Sequence, residues 1–163
     1  MPPPDPHPAL IDGRSEFTHA VRDCLRQAVR RRARAIFLVD ADFLGWPLDD
    51  PDVLAALDAW VRLPKRRMLI VAGRFDALPR VFPRFARWRV TWAHAVECRA
   101  TDVETSQIPT LLLADAASLQ LADRARWRGH LLADDREVAD WREVVDVLVQ
   151  RSEPDFGAST LGL

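Results

Sequence analysis

A chain of 163 residues, 48% hydrophobic and 29% charged, fits a single domain with a real core. Its formal net charge of −1 excludes a molecule drawn as a whole to nucleic acid or acidic lipid, although individual faces can still carry charge. No apolar run approaches the roughly 18 residues of a membrane span, and the opening MPPPDPHPALIDG has neither a basic start nor an apolar segment. No membrane partner, no secretory leader and a cytoplasmic location are therefore expected.

Residues 1–14 read as a disordered or extended arm. Ser15 has the chemistry of a helix N-cap, and Phe17, Val21, Cys24, Leu25 and Ala28 then recur three or four apart, which predicts an amphipathic helix. Arg22, Arg26, Arg30, Arg31 and Arg32 crowd its end, where cations suit the negative pole of the helix dipole. The run Ala35–Val39 is continuously apolar and predicts a strand buried on both faces. Asp50 and Pro51 cap and open a second helix carrying Val53, Leu54, Leu57, Trp60 and Val61, and Pro64 stops it.

Met68–Ala72 is the second buried strand, ended by Gly73. Asp76 is placed to cap a third helix through Leu78, Val81, Phe82 and Phe85, which Pro83 should kink or split. Val90–Trp92 and Val96–Arg99 read as short strands. Thr110–Asp115 is a strong strand, and Ser118–Ala122 alternates like its hairpin partner. Asp134 caps a last helix with Val138, Trp141, Val144, Val145, Leu148 and Val149, and residues 152–163 read as a tail. Strands alternating with helices predict one α/β domain over residues 15–151, with a mainly parallel mixed sheet covered by helices on both faces.

The chemistry-bearing motifs are mostly absent. There is no glycine cradle for nucleotide phosphates and no nucleophile elbow, and the histidines 7, 19, 94 and 130 share no ligand spacing, so neither cofactor nor metal is expected. Cys24 and Cys98 read as buried free thiols. Lys65 is the only lysine; the arginine excess reads as genomic composition rather than as a selected anion site. Ligands of open α/β sheets bind beyond the carboxyl ends of strands, which selects Asp40 and Asp42 after the first strand and Arg74 and Asp76 after the second. Asp42 and Asp76 also suit local turn and cap roles. His94, before a strand, reads first as a structural histidine.

From Phe17 to the closing Thr160–Leu163 the layout resembles a small bacterial family of phospholipase D-like domains, whose catalytic relatives carry H-x-K-x-x-x-x-D and a following Gly-Ser. The matching stretch, Ile108–Asp115, retains only Asp115. Ile108 stands at the nucleophile position and Thr110 at the lysine position, with Ala122 and Asp123 at the Gly-Ser positions. The resemblance implies a degenerate phospholipase D-like half, without catalytic residues, that pairs as a homodimer. Trp88, Trp92 and Trp127 are candidates for that contact or for the core.

Three functions compete. The first is a non-catalytic binding or interaction domain for an anion, a nucleic acid or a protein, with Arg74, Arg99, Arg124 and Arg126 as donors and Asp115 as a further candidate ligand-binding residue. The second is a metal-dependent hydrolase of phosphate esters using Asp40, Asp42 and Asp76. The third is a structural subunit docking through the arginine-rich first helix and the tail.

Overall fold

The computed structural model describes residues 9–155 except Ala116. The strongest apolar runs become the centre of the sheet because they have no polar face to turn toward water. Strand β2 (Ala35–Val39) lies parallel to β3 (Arg67–Ala72), with Ala35 opposite Arg67. On its other side β2 runs antiparallel to β5 (Thr110–Ala114), with Ile36 opposite Ala114. Beyond β3 comes β4 (Val96–Thr101), also parallel. Beyond β5 lie β6 (Leu119–Asp123), β7 (Arg128–Leu131) and β1 (Leu10–Asp12); β8 (Ser152–Pro154) closes the far side against β4. The eight strands form one mixed sheet, β1-β7-β6-β5-β2-β3-β4-β8.

The expected mainly parallel sheet is corrected here: β2–β3 and β3–β4 are parallel and the other five pairings antiparallel. The reason lies in the connections. A parallel neighbour needs a crossover of about a dozen residues or more. Residues 102–109 carry only a 3₁₀ turn at Thr105–Gln107, and the links after β5 and β6 are tighter still.

Helices α1 (Arg14–Arg30), α2 (Pro51–Val61), α3 (Leu78–Val81) and α4 (Pro83–Thr91) pack on one face. There Phe17, Leu57, Trp60 and Phe85 meet Ile36, Leu38, Met68, Ile70 and Leu112. Helix α5 (Asp135–Gln150) lies on the opposite face, where Val145 and Leu148 meet Val39, Val71, Leu111 and Leu113. The alternation within β2, Ile36 and Leu38 against Phe37 and Val39, divides the two cores as strand pleating requires.

Several local expectations change. Leu10–Asp12 belongs to an edge strand rather than an arm, and Ser152–Pro154 to the other edge rather than a tail; residues 1–8 and 156–163 of those segments lie outside the described residues. Gly13, not Ser15, precedes α1: its φ of 103° turns the chain out of β1, and its carbonyl accepts from the Phe17 amide at 3.0 Å. Asp76 does not cap α3, which starts after Ala77 with no side-chain cap. Pro83 splits the helical segment as its ring demands, and Val90 and Thr91 continue α4 instead of forming a strand, with Trp92 as its C-cap. Asp50 and Asp134 do cap α2 and α5, accepting amides within the first turn. No helix among the described residues is long and apolar enough to cross a membrane.

Candidate functional site

At the edge where β2 ends, Asp40 is 1% exposed, and burial of a carboxylate demands donors. It has four. Oδ1 accepts from Thr110 Oγ1 at 2.5 Å and Arg124 Nε at 3.1 Å; Oδ2 accepts from the Phe43 amide at 2.9 Å and Arg124 Nη2 at 3.2 Å. Arg124 also donates to the Leu44 carbonyl and lies 3.9 Å from Asp42. Asp42 itself accepts from the Leu44 amide, an Asx turn. Arg124 stacks 4.1 Å above the Trp127 ring, and Trp127 packs on Phe17. Gly45, at φ 84°, completes the loop: a Cβ there would stand 2.5 Å from Trp127. The arrangement is a clasp that fixes the loop 40–46 to β5 and to the β6–β7 turn, with every Asp40 oxygen occupied.

The other sequence candidates scatter. Arg74 and Asp76 are exposed in the loop after β3, where the Gly73 and Arg74 amides donate to the Ala41 carbonyl. Arg99 donates to Ser152 Oγ and to the Ser152 carbonyl, and pairs with Glu97, so it ties β8 to β4. Arg126 pairs with Asp123 within its own turn. Asp115 lies at the opposite end of β5 from Thr110, roughly 16 Å along the strand from Asp40's partner, and accepts the Arg34 amide at 3.2 Å. His94 is exposed before β4. Asp40, Asp42 and Arg124 come together; Asp76, His94, Arg99 and Asp115 do not join them. Among the described residues no group of three or more His, Cys, Asp or Glu is placed to hold a metal. Burial pushes the Cys24 and Cys98 thiols up to about 12, so neither supplies a thiolate at neutral pH.

The edge where β2 and β3 begin is built differently. The segment from the last residue of α1 into β2 carries Arg30, Arg31, Arg32 and Arg34; the segment from α2 to the first residue of β3 carries Lys65, Arg66 and Arg67. Because the two strands are parallel neighbours in register, these loops lie side by side, and the Arg67 amide donates to the Arg34 carbonyl at 3.2 Å. Trp60 Nε1, in the last turn of α2, donates to the Ala33 carbonyl at 2.7 Å and ties the loop into β2 to that helix. Arg32 and Lys65 both take left-handed backbone, φ 57° and 58°, as the chain leaves each helix. The helix C-terminal carbonyls account for some of this cationic preference. They do not account for all of it. Arg67 reaches Glu97 at 3.8 Å, but no carboxylate among the described residues pairs with Arg30, Arg31, Arg32, Arg34, Lys65 or Arg66. Arg66 Nε is buried without a hydrogen-bond partner. Beside this edge, between β5 and α5, a groove of about 390 Å³ is lined by Asp115, Asp135, Glu143 and Asp146 with Arg142, so the basic strip is bounded on that side by negative charge.

From sequence, Arg30–Arg32 suit the helix dipole or a docking role for the first helix, and nothing there joins them to Lys65–Arg67. The available signal was two basic runs, R-R-R-A-R and K-R-R, each immediately before an apolar strand.

The fold and this edge define a mixed α/β domain with a cationic border. No family model and no curated protein matches the chain. A solved structure of TrmBL2, an archaeal chromatin protein described as showing a novel mode of DNA binding, superposes with a TM-score of 0.64 at 20% identity. The match covers 95% of this chain and 57% of that one, so this chain spans little more than half the length of its structural neighbour.

That likeness overturns the phospholipase D-like resemblance: the fold the chain shares is that of a little over half of TrmBL2. The side chains give the physical reason. Ile108 is buried in the core under α5, and Thr110 is buried with its hydroxyl committed to Asp40. Neither faces a place where a phosphate could sit. The homodimer inferred from paired phospholipase D-like halves loses that basis; Trp88 is buried in the core, and Trp92 and Trp127 pack against it.

Proposed function

We propose that this chain is a non-catalytic binding domain that holds the phosphodiester backbone of a nucleic acid along the edge formed by residues 30–34 and 65–67. The observation that carries this reading is a set of six cationic side chains, on two adjacent segments that lead into β2 and β3, whose charges meet no carboxylate among the described residues. Cations kept close together without counter-charges repel one another, and a polyanion relieves that repulsion while releasing its own counterions. Arginine forks suit phosphate oxygens. The net charge of −1 is compatible, because the positive charge is local and the acidic groove beside it limits where a polyanion can lie. The archaeal neighbour is described as binding DNA, which supports the same ligand class for this fold.

The test is fluorescence anisotropy with a labelled oligonucleotide, titrated over a range of salt. Wild-type affinity should fall steeply with salt, and Arg31→Glu combined with Lys65→Glu should weaken binding by about tenfold or more while flattening the salt slope by roughly one per lost phosphate contact. Unchanged affinity in a folded double variant would sink the reading.

A further inference from the structure

Along the same edge, one strand further on, the loop into β4 presents aromatic rather than cationic groups. Trp92 is half-buried, seated against the core, and its position is fixed by its carbonyl accepting the Ala95 and Val96 amides at 2.8 and 2.9 Å. The exposed His94 ring stands 5.7 Å from the Trp92 ring at an interplanar angle of 44°. The Arg62 guanidinium lies 5.3 Å from the same indole, with its charge engaged by Asp58 at 2.9 Å, so it adds a flat face more than a free cation. The loop is coupled directly to the basic row: the Met68 amide, next to Arg67, donates to the Ala95 carbonyl at 2.8 Å.

A cationic row that ends in an exposed ring matches the chemistry of an unpaired strand. Phosphates track the charges, and a free base can leave the backbone to stack on an aromatic face. A duplex offers no such face, because its bases are stacked on one another and present only their edges in the grooves. Resting on the phosphate-backbone reading of this edge, we infer that the domain prefers single-stranded nucleic acid, with one unpaired base stacked on His94 over the Trp92–Arg62 shelf and the adjoining phosphates passing over Lys65, Arg66 and Arg31.

The experiment compares anisotropy titrations of a labelled oligothymidylate of about 20 nucleotides and a duplex of equal length, using the full chain. Wild type should bind the single strand more tightly. His94→Ala, a change at an exposed side chain, should weaken single-strand binding about fivefold or more and leave duplex binding unchanged. Trp92→Phe should retain single-strand affinity, and Trp92→Leu, with its fold checked by circular dichroism, should lose it. If Arg31→Glu with Lys65→Glu affects neither ligand, the phosphate reading fails and this inference with it. If that double variant weakens both ligands while His94→Ala leaves their ratio unchanged, or if wild type prefers the duplex, only the single-strand inference is overturned.

Discussion

At the edge where β2 ends, Asp40 draws on a hydroxyl, an amide and a guanidinium from three separate parts of the chain, and Arg124 spends its donors on the same cluster. At the edge where β2 and β3 begin, the guanidinium groups of Arg30, Arg31, Arg32 and Arg34 stand in solvent beside Lys65 with no ion pair to a carboxylate among the described residues. The difference is one of burial. A carboxylate at 1% exposure is tolerable only when its oxygens are satisfied within the fold, so its chemistry is used up in holding a loop. Cations that water can solvate need no internal partner, and their charge stays available to a ligand. A residue at the carboxyl end of a strand is therefore not a functional candidate by position alone; what matters is whether its polar atoms are already engaged.

Three measurements would break or sharpen this contrast. The largest effect is expected from Arg124→Met, which strands the buried Asp40 charge. Unfolding by urea should show a loss of about 3 kcal/mol, at the low end for a broken buried pair because Arg124 is one-third exposed. Its oligonucleotide affinity should equal that of wild type. A loss of affinity in the folded variant would place the clasp within the binding surface and end the contrast.

Next in size is Trp60→Phe. It removes the indole donor to the Ala33 carbonyl inside the core and should cost about 1–2 kcal/mol in the same assay. Hydrogen exchange should then rise in the loop into β2 and in the last turn of α2, since that bond ties one to the other. Equal protection in variant and wild type would mean that packing alone aligns them.

The smallest effect concerns acid. The Arg22 guanidinium, hydrogen-bonded to Asp50, holds the Asp50 carboxyl below the usual carboxylate range, helped by the Asp52 and Val53 amides. A carboxyl depressed in the folded state contributes stability that is complete above its unfolded value of about 3.9 and is lost as pH falls through the lower folded value. The stability difference between wild type and Arg22→Leu should accordingly persist at neutral pH and shrink below about pH 4. A difference that does not change down to about pH 2 would assign the effect to packing of the arginine stem rather than to charge.

Some of this molecule was legible in its sequence and some was not. The central layer followed from apolar runs around Ile36, Leu69 and Leu112, and those three strands do lie side by side. The Asp50 and Asp134 caps and the break at Pro83 were also readable, because each acts within a turn of its own position. The Val90–Trp92 segment was misread because three residues carry no usable periodicity, and its membership of α4 depends on the helix started by Pro83. The clasp was out of reach: Thr110 and Arg124 lie 70 and 84 residues from Asp40. The alignment of Ile108–Asp115 with a degenerate motif failed for a related reason, since strand spacing alone could not tell that Ile108 and Thr110 turn into the interior.

The residues by themselves determined which segments are apolar enough to be strands, where helices begin and break, and that basic runs precede two of the strands, because these depend on interactions within a few positions of the chain. The tertiary structure alone decided the direction in which each strand enters the sheet, which charges are buried against one another, and that two basic loops and an aromatic one share a border. Those outcomes depend on how connections of fixed length cross the sheet, a constraint that acts between distant parts of the chain.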